Sequence, residues 1–167
     1  MNERDRAVDL ILEAQKILWL EEEVKITTPG IIKELIVAKI LGHKNIKTKH
    51  DADACSFVDE NEKYEYLCCE EGGSFQMDRM YGHDKTPEQQ EKSKHRIARN
   101  KYFYHIIFYK NKPLYVKEIY EIDVNIIWER AKSILHNTSN ISNHIGFPIK
   151  WTKEVGELVY KDEVSNS

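Results

Sequence analysis

Between Asp51 and Glu71 the chain carries eight carboxylates: Asp51, Asp53, Asp59, Glu60, Glu62, Glu65, Glu70 and Glu71. Most belong to a polar turn. Asp53 and Glu65 differ, because each sits within a segment whose neighbours are apolar or aromatic. An acid embedded in Tyr64–Cys69 (YEYLCC) has to be desolvated, paired with a cation, or bound to a metal. Two such acids on adjacent strands form a plausible hard-cation site, since Mg²⁺ takes one or two carboxylates and keeps several waters. The competing reading is a surface pairing of Glu65 with Lys63 or with a helix lysine. Strand alternation places Lys63, Glu65 and Leu67 on one face and Tyr64, Tyr66 and Cys68 on the other. Lys49 and His50, just before the first acid, are further basic groups within reach. Glu34, in the middle of a helix, is an accessory metal-ligand candidate or an exposed helix acid.

The elements that must position these groups follow from periodicity. Arg6–Leu20 reads as a helix with Val8, Ile11, Leu12 and Leu18 on one side and Leu10, Ala14 and Ile17 on another, so residues 1–25 are a candidate dimerisation segment. Thr28-Pro29 signals a helix start and Gly42 a C-terminal glycine, framing a helix over Gly30–Leu41 with Ile32, Leu35, Ile36 and Ile40 inward. Asp53–Val58 and Lys63–Cys69 read as a hairpin around Asp59–Glu62. Glu71–Lys85, with three glycines and no clear period, reads as a loop. Thr86-Pro87 with Gln89 opens a helix in capping-box fashion, running to about Lys101. Tyr102–Tyr109 and Leu114–Ile122 are β-prone strands, followed by a helix over Asp123–Leu135 capped by Asp123. Asn137–Gly146 reads as a polar loop, and Phe147–Trp151 and Leu158–Tyr160 as closing strands. The expected fold is α/β (α+β): one domain over 1–167, with a central mixed sheet flanked by helices.

Composition excludes more than it selects. With 167 residues, 41% apolar and 32% charged, the chain is ordinary for a globular protein. No apolar run is long enough to span a bilayer, and Met1–Arg6 has no secretory character. Three cysteines (Cys55, Cys68, Cys69) make no even disulfide framework, so a reducing cytoplasm is the expected location. The net charge of −3 does not advertise a polyanion partner. Its distribution is less neutral: His43–His50 has three lysines and no acid, and Lys92–Lys101 has five bases and no acid. Such runs are solvated faces, or phosphate-binding surfaces where they flank a site.

The order of helix, Asp53-Ala54 strand, Tyr64-Glu65-Tyr66 strand, basic helix with Ile97-Ala98, strand pair with Ile106–Tyr109 and Ile119-Tyr120, and closing Asn143 through Pro148-Ile149-Lys150-Trp151 resembles the PvuII-type restriction endonucleases. These belong to the PD-(D/E)XK nuclease superfamily. The resemblance spans about Gly30 to Tyr160 and implies a restriction-endonuclease-like sheet and a Mg²⁺-dependent homodimer that hydrolyses double-stranded DNA at a specific site. By position, Asp53 and Glu65 would be the two metal-binding acids. The third motif position, normally lysine, falls on Leu67, which can neither polarise water nor donate to phosphate. Lys63 would substitute, with Lys49 and His50 as further replacements; otherwise the fold binds DNA without cutting it. The resemblance also implies base contacts from Ser74, Gln76 and Arg79 in one loop and from Asn143 and His144 in a second. Lys92, Lys94, Arg96 and Arg99 would contact phosphates. A third class, an interaction protein whose acids are mere surface charge, is favoured by the net charge.

Overall fold

A computed structural model describes residues 2–48, 50–80, 86–137 and 143–163. Its centre is a mixed six-stranded sheet with helices on both faces, an α/β (α+β) architecture. In chain order the elements are α1 (Glu3–Glu22), α2 (Ile31–Leu41), β1 (Lys44–Asn45), β2 (Ala54–Cys55), β3 (Lys63–Glu70) and β4 (Ser74–Met80). They continue with α3 (Pro87–Ala98), β5 (Tyr102–Phe108), β6 (Val116–Asp123), α4 (Val124–His136), β7 (Asn143–Pro148), α5 (Ile149–Val155) and β8 (Glu157–Lys161). The sheet order is β1-β2-β3-β5-β6-β8, and β4 and β7 form a separate two-stranded ribbon. Only β3 and β5 run parallel, because the long connection between them carries β4 and then α3.

The expected hairpin forms, with β2 antiparallel to β3 through Ala54–Tyr64 and Cys55–Lys63. Its first strand is only Ala54–Cys55 and not Asp53–Val58, since Phe57 and Val58 are exposed beyond it. Alternation along β3 then separates two cores. Leu67 and Cys69 join Phe103, Ile107, Phe75, Met77, Ile97, Ile127 and Phe147 on the face covered by α3, α4 and the ribbon. Tyr64 and Tyr66 join Tyr104, Ile106 and Ile119 against Val37 and Ala38 of α2. His105, level with Leu67, is fully buried and pairs its Nδ1 with Thr152 Oγ1 at 2.7 Å. Burial pulls its pKa down to about 3, so it sits in the core as a neutral ring.

Four further expectations need correction. Glu71–Lys85 is not simply a loop, because Ser74–Met80 is a strand. Its inward residues are Phe75, Met77 and Met80, and an irregularity between Met77 and Met80 breaks the period of two that would have revealed it. Asn137–Gly146 likewise gives way at Asn143 to β7, which pairs Ile145 and Phe147 with Met77 and Phe75. Phe147–Trp151 is not a closing strand: the chain turns helical at Ile149, after Pro148 as N-cap. Ile149, Trp151 and Val155 then pack on the core while Thr152 reaches His105. Finally, α2 is capped not by Thr28 but by Gly30, whose φ of 84° is left-handed, and its buried residues are Val37 and Ala38 while Ile32 is exposed. The capping box at Thr86 and Gln89, the Asp123 cap and the glycine end at Gly42 form as expected.

Helix α1 packs least. None of its residues is buried, and Val8, Leu10, Ile11, Leu12, Ile17, Trp19 and Leu20 are all exposed. Gln15 ties it to the following segment, donating to the Val24 carbonyl and accepting from the Ile26 N–H.

Candidate functional site

One step beyond the Ala54–Tyr64 pair, Asp53 comes level with Glu65. The Asp53 N–H still donates to Tyr64 O at 3.1 Å, and its carboxylate accepts from the Tyr66 N–H at 2.8 Å. The first acid is therefore fixed by the backbone of the strand that carries the second. Glu65 is buried, and that burial, with the Asp53 charge beside it, pushes its pKa up to about 8. Burial also raises Asp53, against the opposing pull of the Tyr66 N–H and the Arg99 charge. Glu34 of α2 is raised to about 7 by burial and again by Asp53. Glu65 and Glu34 thus each feel the Asp53 charge, and all three carboxyls resist ionisation.

Asp53 and Glu65, but not Glu34, line a cleft of about 1050 Å³ whose wall also includes His50, Arg79, Arg96 and Arg99. Helix α3 and its C-cap line the cleft with Lys92, His95, Arg96 and Arg99 at helical spacing, together with Glu88 and Glu91. Arg99 Nη2 lies 3.5 Å from Glu65 Oε2, a long ion pair between largely buried side chains. Its firmer bonds go to backbone: Nη1 donates to His50 O at 2.6 Å and Nη2 to Asp51 O at 2.9 Å. His50 itself has a φ of 76°, an uncommon conformation for a residue with a side chain, held where the guanidinium grips its carbonyl.

The other expected residues divide. Lys63 does not turn to Glu65: its Nζ lies 2.7 Å from both carboxylate oxygens of Asp51, which holds the Asp51 carboxyl below its usual range. Leu67 is buried among apolar side chains. Arg79 reaches the cleft from the irregular end of β4, with a φ of 59°. Ser74 and Gln76 are exposed on the outer side of the ribbon, and Gln76 stands opposite Gly146, which presents no side chain beside it. His144 is exposed and paired with Asp78, also at the cleft. Arg96 Nη1 donates to Asp78 O at 2.6 Å, and Lys92 pairs with Glu88 at 3.6 Å. Lys94 is exposed on α3. Lys49 and the side chain of Asn143 lie outside the described residues. The sequence reading missed Asp51 as the partner of Lys63, and Asp78 and His95 as cleft residues. His95 was legible from its spacing to Lys92 and Arg99; Asp78 required the ribbon.

Buried Glu65 and half-buried Asp53, with one arginine charge at ion-pair distance, leave the acid pair short of positive charge. That donor set fits a divalent cation held by Asp53 and Glu65, while Glu34 is within range of the Asp53 charge but does not line the cleft. Among the described residues no three His, Cys, Asp or Glu side chains converge as a ligand group, so water and substrate oxygens would complete the shell, as Mg²⁺ prefers. No protein-family model and no curated protein matches the chain. Among the described residues no helix is long and apolar enough to cross a membrane.

Proposed function

We propose that this chain is a Mg²⁺-dependent type II restriction endonuclease of the PvuII type, in the PD-(D/E)XK superfamily, cleaving double-stranded DNA by phosphodiester hydrolysis. The observation that carries the reading is the pairing of buried Glu65 with half-buried Asp53, opening onto a cleft whose lining includes Lys92, Arg96 and Arg99 as well as Glu88 and Glu91. Buried acids without enough cations are costly as structure alone, so their retention beside a basic helix points to chemistry on a phosphate. Asp53 and Glu65 would hold Mg²⁺. Once bound, Mg²⁺ supplies charge neutralisation at the phosphate and a water acidic enough to attack. The chain's own contribution is positional. The Tyr66 N–H fixes Asp53, Arg99 clamps the His50–Asp51 backbone, and α3 offers cations to the DNA backbone. A two-stranded ribbon such as β4–β7 suits the major groove, where Ser74, Gln76, Arg79 and His144 would meet base edges; Asn143 is assigned there by the resemblance alone.

The exposed apolar residues of α1 fit a homodimer, whose two sites would cut the two strands of a palindromic site. Three free thiols suit the cytoplasm. A second reading, a DNA-binding protein on the same fold without catalysis, is favoured by the burial of Leu67 where related nucleases carry lysine. Incubation of supercoiled and sequence-diverse linear DNA with the protein in Mg²⁺ and in EDTA tests both. Discrete Mg²⁺-dependent fragments are expected. Salt-sensitive binding without fragments selects the silent reading, and absence of both rejects the assignment.

A further inference from the structure

Three cationic side chains stand close enough to the acid pair to matter, and they are not equally committed. Lys63 is neutralised by both oxygens of Asp51. Arg96 gives Nη1 to Asp78 O and to the Met80 sulfur. Arg99 is different in two respects. Its one ion pair among the described residues is a long 3.5 Å contact to Glu65, with Asp53 and Asp51 also within reach of its charge, and its shorter bonds go to neutral carbonyls. Its Nε–H is also buried, with no acceptor among the described residues. A buried donor without an acceptor is costly, and on a guanidinium it lies on the edge that grips oxyanions in a two-pronged fashion.

We propose, resting on the nuclease reading above, that Arg99 is a catalytic residue: its Nε–Nη2 edge receives a non-bridging oxygen of the scissile phosphodiester beside Asp53 and Glu65. The cation of the site then comes from the end of α3, not from β3. The carbonyls of His50 and Asp51 hold the guanidinium's far side, so it meets the phosphate already oriented. Guanidinium groups do not deprotonate in proteins, so this residue stabilises charge and takes no proton from the attacking water. As the P–O bond to the leaving 3′ oxygen breaks and the water oxygen bonds to phosphorus, Arg99 carries only the growing negative charge. The water's proton leaves to solvent and the leaving oxygen takes one from it.

The experiment compares parent, Arg99→Met, Arg99→Lys, Arg99→Ala and Lys63→Met in single-turnover cleavage. It adds the salt dependence of DNA binding in Ca²⁺ and the shift in Tm on adding Mg²⁺. Arg99→Met is expected to lose about 10²–10³-fold in rate. It should also lose about 0.9 from the slope of log affinity against log salt, while keeping the parent's Mg²⁺-induced Tm shift. Arg99→Lys recovers part of the rate, and free guanidinium ion restores part of it to Arg99→Ala. A cutting parent whose Arg99→Met variant keeps its rate within threefold, or in which Lys63→Met carries the loss, overturns the proposal and leaves the nuclease reading standing. A parent that binds but never cuts leaves the decision to the salt slope, and an unchanged slope overturns it. A parent that neither binds nor cuts DNA removes both.

Discussion

On one side of β3, Tyr64, Tyr66 and Tyr104 bury three hydroxyls, and each has a partner. Tyr64 donates to Glu62 at 2.6 Å, Tyr66 pairs with His43 at 2.8 Å, and Tyr104 donates to Glu121 at 2.6 Å. The rings pack edge-on and His43 stacks on Tyr64. At the edge of the other side, buried Glu65 and half-buried Asp53 have too few cations, and Arg99 keeps an Nε–H with no acceptor among the described residues. Both regions bury polar groups on the same strand. The tyrosine face satisfies its hydrogen bonds and contributes stability and a fixed register; the acid face leaves charge unsatisfied, which costs stability. A strand that tolerates that cost on one face, beside a cleft of mixed charge, marks where ligand chemistry belongs.

The largest expected effect lies on the acid face. Glu65→Gln removes a carboxylate that folding forces to stay protonated, so the variant should lose detectable cleavage while gaining stability without metal. The sign follows from the raised pKa. Relative to an ordinary value of 4.5, a folded value of about 8 means the native state holds its proton more tightly. That contribution is fully present below about pH 4.5 and is lost as pH rises through about 8. Metal-free parent should therefore fall in Tm relative to Glu65→Gln between those limits, and Mg²⁺ should restore more Tm at pH 8 than at pH 6. Thermal melts of both proteins across this range check it, and parallel curves would show that Glu65 is not desolvated as described.

A smaller but still large effect separates the two cores at Leu67. Leu67→Lys places an ammonium among Phe103, Ile107 and Phe75, two residues from Glu65 on the same face. An uncompensated charge there costs about 3–5 kcal/mol. With Arg99 already at Glu65, the new amine should add little to the rate. Urea unfolding and cleavage of the same preparation measure both quantities. A tenfold gain in cleavage at parental stability would mean that the missing amine, not its burial, limits this chain.

How much of this was legible in the residues depends on the range of the interaction. The acids stood out because an isolated carboxylate in an apolar strand is anomalous wherever that strand goes, and the helices announced themselves through Thr86, Gln89, Asp123 and Gly42. The ribbon did not, because Phe75, Met77 and Met80 are spaced two and then three apart, and a bulge looks like a loop when its partner strand is unknown. The Ile149 helix hid behind β-branched and aromatic residues that propensity assigns to strands, and tertiary packing overrode it. Nor could spacing show that Lys63 turns to Asp51 while Arg99, 34 residues after Glu65, turns to the acid. Same-face alternation places two side chains on one side of a sheet; it does not say which of them finds a partner first.

The smallest effect tests whether the tyrosine face is as inert as its satisfied bonds imply. Tyr104→Phe removes one hydroxyl and leaves Glu121, which is only half-buried, to be rehydrated by solvent. The ring stays, with its edge contacts to Tyr64 and Tyr66. The cost should be that of one net hydrogen bond, about 0.5–1.5 kcal/mol, read as a lower urea midpoint at unchanged slope. Cleavage should stay within about twofold, because the Asp53 carboxylate takes its bond from the Tyr66 backbone N–H and not from any hydroxyl of this cluster. A tenfold fall in rate with little change in midpoint would tie the tyrosines to the acid site through β3. The two faces would then be one coupled network, not a scaffold and a site.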